Sequence, residues 1–174
     1  MSMKLERLFT VEECSEIIKF LDNQSDWELY HNLDKNGNTL SKYYLTSLND
    51  NNFAINKFKN YIYTKFSFKV DTVNIYALKY LEGYLFHRHI DRVEHREDNK
   101  DFVYNINVVL NDEFTGGEFW LDDKLLEENT PGMVYYYNSD QWHEVKTVTS
   151  GVRYSMLCYV RERDFIHKKN KSLI

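Results

Sequence analysis

At 174 residues the chain has the length of one domain, and 43% hydrophobic with 16% aromatic residues excludes a disordered polymer. Lysine and arginine number 22 against 27 aspartates and glutamates, a net charge of −5, which argues against a generic binder of phosphate backbones. Cys14 and Cys158 lie far apart without a CxxC partner, so the expectation is two buried thiols in a reducing compartment. No apolar run approaches the ~18 residues of a membrane span, and the first residues carry no apolar signal core. These features predict a cytoplasmic protein with neither membrane nor nucleic-acid partners.

The first predicted element is a helix. Thr10 with Glu13 three residues later forms a capping-box pattern, and Val11, Cys14, Ile17, Ile18 and Leu21 recur at helical spacing. The segment 26–47 is polar and aromatic, with Asn36-Gly37-Asn38 as a turn, and reads as a hairpin or a loop. A second helix fits 50–65, with Ala54, Phe58, Tyr61, Ile62 and Phe66 on one side. From residue 68 the period changes to two: Val70, Thr72, Asn74, Tyr76, Leu78 and Tyr80 alternate with Asp71, Val73, Ile75, Ala77 and Lys79. Further strands are expected at 84–89, 102–110, 117–121, 133–137, 143–148 and 152–160, separated by Gly-, Asn- and Pro-containing turns. Many short, regularly punctuated strands predict a mainly β (α+β) fold, a cupin-like jelly roll or double-stranded β-helix, buttressed by N-terminal helices. The expected organisation is a single domain over 1–174, with the helical buttress at about 8–66 and the jelly-roll core at about 68–162.

The chemistry concentrates in His89-Ile90-Asp91 and, 52 residues after Asp91, His143. Residues i and i+2 of a strand point to one face, so an imidazole and a carboxylate at that spacing can grip one ion. A histidine from a distant strand would complete the two-His-one-carboxylate set, which leaves positions open on Fe(II). HxD alone is common and weak. Ten residues after His143, however, Arg153 interrupts an apolar strand. An inward arginine needs an anionic partner, and a dicarboxylate cosubstrate would supply one in a bidentate pair. His87 shares a face with His89 and reads either as a contact that supports the metal ligands or the substrate or as a residue of the barrel mouth. The charged run from Arg92 to Asp101, which includes His95, reads equally as a lid and as a solvated connector. His31 and His167 are expected at the surface, and most of Tyr135-Tyr136-Tyr137 in core packing. Gly116-Gly117 allows close approach of strand and loop and is no phosphate cradle.

Taken in order, these residues resemble a family. Tyr80, Gly83, Phe86, His89 and Asp91 match the Y-x-x-G-x-x-[YF]-x-x-H-x-D pattern of the prolyl-4-hydroxylase-like branch of the 2-oxoglutarate- and Fe(II)-dependent dioxygenases. Leu110-Asn111-Asp112 with Gly116-Gly117-Glu118 resembles its YLN-D and GGE segment, and Pro131-Gly132, His143-Glu144-Val145 and Gly151-Val152-Arg153 its closing motifs. Phe9-Thr10-Val11-Glu12-Glu13-Cys14 resembles its opening helix, so the likeness runs over about 5–162. The resemblance implies that His89, Asp91 and His143 bind iron, that Arg153 holds the distal carboxylate of 2-oxoglutarate, and that Tyr80 hydrogen-bonds the cosubstrate. The family often has lysine at the position of Arg153. Val109 stands where a second cosubstrate-binding tyrosine is usual, and Asn105 and Asn107, on the same face, are candidates to replace it.

The implied activity is hydroxylation of an unactivated C–H bond with Fe(II), 2-oxoglutarate and O2, ascorbate serving as reductant. A prolyl residue in a protein or peptide is the expected substrate; a free amino acid or a natural-product small molecule is the alternative. A non-catalytic jelly-roll binding module is disfavoured by the complete ligand set with Arg153, and a zinc hydrolase by Arg153 and the absence of an evident general base. A nucleic-acid demethylase would need an arginine where Thr149 stands.

Overall fold

Thr10 starts the first helix as expected. Its side chain accepts from the Glu13 backbone N–H, while the Glu13 carboxylate accepts from the Thr10 N–H, satisfying two amides that helix geometry leaves without partners. The computed structural model describes residues 6–48, 53–66, 74–93, 97, 100–126 and 130–162. Helix α1 (Val11–Asp22) buries Cys14, Ile17 and Leu21; α2 (Phe53–Phe66) buries Ala54, Ile55, Phe58 and Ile62. Neither is long and apolar enough to cross a membrane.

The strands are β1 (Glu6–Arg7), β2 (Glu28–Leu33), β3 (Thr39–Ser47), β4 (Asn74–Tyr80), β5 (Leu85–His89), β6 (Phe102–Val109) and β7 (Phe114–Gly116), followed by β8 (Phe119–Leu121), β9 (Lys124–Leu125), β10 (Met133–Asn138), β11 (His143–Val145), β12 (Val148–Gly151) and β13 (Arg153–Arg161). Among the described residues, eleven of them join one sheet in the order β1-β10-β6-β13-β4-β3-β5-β11-β8-β9, with β2 paired to β3 off that path, while β7 and β12 form a separate ladder. Every pairing is antiparallel. The sheet curls into a half-barrel, so that Phe119 of β8 comes within 5.0 Å of Tyr135 of β10, ring centroid to ring centroid. This is the expected jelly-roll architecture.

The central strands are buried on both faces, and their alternation divides two cores. Ile75 and Ala77 of β4, Ile106 and Val108 of β6, and Met156 and Cys158 of β13 pack with the helices. Leu78 and Tyr80, Val109, and Leu157 face the barrel interior with Tyr135 and Tyr137 of β10. The helices therefore seal one face of the sheet, and the other face is left to line a cleft.

One open reading is decided and several boundaries differ from expectation. The region 26–47 is a hairpin, closed by Asp34, whose carboxylate accepts from the Asn36 and Asn38 amides. The expected strand 143–148 is two strands: after the register shift between His143 and Val145, the chain turns at Lys146 and Thr147, and the Thr147 carbonyl accepts from Gly117. The strand expected from Gly117 begins at Phe119, and Gly116, read as a turn, ends β7. The beginnings expected for the second helix and for the first core strand, at 50–52 and 68–73, lie outside the described residues.

Gly132 ties the N-terminal strand to the barrel. Its φ is +82°, its carbonyl accepts from Leu8 and Phe9, and a Cβ there would stand 1.9 Å from the Phe9 carbonyl oxygen. Gly132→Ala is expected to cost roughly 3 kcal/mol and lower Tm by about 6–12 °C in a thermal melt; an unchanged Tm would contradict this packing.

Candidate metal centre and cosubstrate cleft

His89 ends β5, Asp91 follows two residues later, and His143 opens β11 directly opposite His89 in the antiparallel register. One pairing between two strands thus delivers both imidazoles. His89 Nε2 lies 3.4 Å from Asp91 Oδ1 and His143 Nε2 lies 3.3 Å from Asp91 Oδ2, and one ligand atom from each residue falls within 4.8 Å of the others.

Both rings are fixed from behind. His89 Nδ1 is 2.6 Å from the His87 carbonyl and His143 Nδ1 is 2.9 Å from the Gln141 carbonyl. A carbonyl can only accept, so each Nδ1 carries a proton and, in the neutral ring, each Nε2 presents a lone pair to the carboxylate. Phe86 stacks on His89 at 3.8 Å, and Tyr137 sits 4.8 Å from His143. His89 Nε2 is buried without a hydrogen-bond partner. Two lone pairs and a carboxylate facing one point repel one another unless a cation lies between them, so this donor set fits a divalent ion with N and O ligands.

Asp91 is itself held in place. Its backbone N–H donates to Ser139, and its Oδ2 accepts from Asn105 Nδ2, whose Oδ1 accepts from Ser139 Oγ at 3.0 Å. Burial pushes the Asp91 carboxyl up, but the facing imidazoles of His143 and His89 prevail and hold it well below the usual carboxylate range. Asn105 is thus a support for Asp91. Asn105→Ala is expected to weaken iron binding by about 10–100-fold, measured by metal titration, and to lower Tm by a few degrees, since the buried Ser139 Oγ loses its acceptor; undiminished affinity would remove Asn105 from this role.

Arg153 opens β13 opposite Tyr80 on β4. It is 1% exposed, and no carboxylate pairs with it among the described residues. Its Nη1 donates to Ser155 Oγ at 3.2 Å, and its Cζ lies 5.3 Å from the centre of the Tyr80 ring. A Cβ on Gly117 would come 3.2 Å from Arg153 Cδ, so the glycine lets the loop close over the arginine stem. Arg153, Tyr80, Tyr135, Asn107, Ser155 and the three metal-ligand candidates line one cleft, walled by Leu78, Phe119, Val145 and Leu157. A buried guanidinium facing a cleft can receive an anion there.

The other expected site residues divide. Asn107 lines the cleft but donates to the Tyr137 hydroxyl at 3.3 Å. His87 does not line it: its ring is engaged by Ser41 Oγ at 2.6 Å, and it serves the centre through its backbone carbonyl. Tyr135, which the sequence presents as core packing, lines the cleft with its 0% exposed ring, and its hydroxyl lacks a hydrogen-bond partner among the described residues. Residues 94–96 and 98–99 of the charged run, His95 included, lie outside the described residues.

A half-barrel of antiparallel strands with a His-X-Asp…His cluster at its mouth and a buried arginine inside defines an oxygenase-type jelly roll. The sequence model of the 2OG-Fe(II) oxygenase superfamily matches residues 75–161, half of the chain. The protein belongs to that superfamily and is a dioxygenase using Fe(II), 2-oxoglutarate and O2. No curated protein sequence matches it significantly. Solved structures share its fold. A Pseudomonas putida prolyl-4-hydroxylase is 16% identical, covers 91% of this chain and 91% of its own, and has a TM-score of 0.63. A prolyl hydroxylase from Trichoplax adhaerens, solved with a peptide fragment of the hypoxia inducible factor oxygen degradation domain, is 16% identical over 93% of this chain and 84% of its own, with a TM-score of 0.68. A viral collagen prolyl hydroxylase from Paramecium Bursaria Chlorella virus-1 is 12% identical over 92% and 96%, with a TM-score of 0.65.

Proposed function

We propose that this dioxygenase hydroxylates a prolyl residue in a protein or peptide, binding iron through His89, Asp91 and His143 and the distal carboxylate of 2-oxoglutarate through Arg153. The observation that carries the site assignment is the convergence of those three ligand candidates and a buried, carboxylate-free arginine on one cleft. The prolyl substrate is supported by structural likeness to enzymes named as prolyl hydroxylases, one of them holding a peptide.

When bound, the iron with its cosubstrate and O2 supplies the oxidising power for the C–H bond, releasing succinate and CO2. The chain supplies the rest. The His87 and Gln141 carbonyls keep both imidazoles in the ligating tautomer. Asp91, held ionised by its neighbours, offsets the metal's charge. Arg153 fixes the cosubstrate at its far end, and burial keeps the Tyr80 hydroxyl protonated as a donor beside it, Arg153's charge offsetting part of that effect. Phe119, Val145 and Leu157 exclude water from the same space. Ascorbate serves as the reductant that keeps the metal ferrous.

The test is succinate release with Fe(II), 2-oxoglutarate and ascorbate, offering proline-containing peptides and free amino acids in parallel. Peptide-dependent succinate with one added oxygen on proline is the expected result. Oxygen added only to a free amino acid would replace the prolyl reading, and no stimulation by any proline-containing peptide would remove it.

A further inference from the structure

Two polar groups on the cleft wall have no hydrogen-bond partner among the described residues: the Tyr135 hydroxyl and Arg153 Nε. Both residues are sealed from solvent, Tyr135 at 0% and Arg153 at 1% exposure. They line the same cleft, and the arginine's charge offsets part of the rise that burial imposes on the phenol's pKa. The strand registers explain the proximity. Tyr135 on β10 lies opposite Asn107 on β6; Val109, on the same face of β6, lies opposite Ser155 on β13, two residues from Arg153.

The neighbouring tyrosine on the same face is accounted for, because the Tyr137 hydroxyl accepts from Asn107. Tyr135 is not. A guanidinium has only donors, so Arg153 can never receive the Tyr135 O–H. A phenol O–H and a guanidinium N–H, both buried and both facing one cleft, call for a ligand with two acceptor oxygens. Val109, at the position where the resembling family places a cosubstrate-binding tyrosine, presents no polar atom.

We infer that Tyr135 is a cosubstrate-binding residue: from β10 its hydroxyl donates to one oxygen of the distal carboxylate of 2-oxoglutarate while Arg153 holds the other, in place of a side chain at position 109. The inference rests on the assignment of Arg153 to that carboxylate.

The experiment measures binding rather than turnover. Mn(II)-loaded wild type and Tyr135→Phe are titrated by calorimetry with 2-oxoglutarate and with 2-oxobutyrate, which has the same 2-oxo acid head but no distal carboxylate. Melting curves confirm that the variant, which keeps the ring, is folded. Tyr135→Phe is expected to weaken 2-oxoglutarate binding about tenfold or more and to leave 2-oxobutyrate binding within about twofold. Equal weakening of both ligands would assign Tyr135 a packing role, and no weakening of either would take its hydroxyl off the ligand; both overturn the inference. Wild type that binds the two ligands equally would instead overturn the assignment of Arg153, and this inference with it.

Discussion

Replacing His143 or Asp91 by alanine is expected to reduce iron-dependent 2-oxoglutarate turnover by more than about a hundredfold while the protein still folds. Loss of an outer support alone costs about 10–100-fold, and these two residues supply ligand atoms directly. The effect on the fold should be small for a stated reason. The Nε2 atoms of His89 and His143 face the Asp91 carboxylate at 3.4 and 3.3 Å, and none of the three residues belongs to the two apolar clusters, so either change removes a polar contact and leaves the packed core intact. Neighbouring contacts survive either change: the backbone of residue 91 still donates to Ser139, and Ser139 still holds Asn105. Turnover, bound iron and the thermal melt separate the possibilities. Full activity in both variants would refute the ligand assignment, whereas loss of activity together with loss of the melting transition would show a structural role.

Arg153→Met should move function and stability in opposite directions. The guanidinium is 1% exposed, its acceptor among the described residues is the Ser155 hydroxyl, and no carboxylate neutralises it. A buried charge in that state costs the folded protein, and methionine fills a similar volume without charge. The variant is therefore expected to be more stable by about 1 kcal/mol or more, a rise in Tm of about 2–4 °C per kcal/mol. Its affinity for 2-oxoglutarate is expected to fall about a hundredfold, since a desolvated charge pair is worth about 2–5 kcal/mol to the side that loses it. Metal binding should not change, as Arg153 is not among the ligand candidates. A destabilised variant would indicate that Arg153 supports the barrel, and unchanged affinity for 2-oxoglutarate would take it out of the cosubstrate site.

Much of the candidate site is legible in the sequence because its elements are local or strongly patterned. The i, i+2 spacing of His89 and Asp91, the arginine inside an apolar strand, and the Thr10–Glu13 capping box are short-range signals, and the structure shows each in the expected place. What escaped depends on register between strands. Three successive tyrosines announce that alternate rings share a face; they do not say that Asn107 engages Tyr137 while the Tyr135 hydroxyl is left beside Arg153. The same alternation places His87 with His89. Ser41, from a hairpin the sequence left undecided, captures its ring, and the half-buried pattern of β5 leaves the facing of each side chain undetermined by polarity. The break of 143–148 into β11 and β12 follows from the irregular pairing of β11 with β5 and from the claim of Gly117 on the Thr147 carbonyl, both contacts with chain more than 25 residues away. Strands buried on both faces, such as β6 and β13, carry apolar residues at successive positions, so the structure is needed to divide these between the helical core and the cleft.

The most direct measurement is anaerobic addition of Fe(II) and 2-oxoglutarate to the wild-type protein and to His89→Ala, recording the visible spectrum. A charge-transfer band of the chelated complex in wild type, absent in His89→Ala, is the predicted result. A band of equal strength in both, or none in wild type with iron scarcely bound, would contradict the assignment of the metal centre to His89, Asp91 and His143.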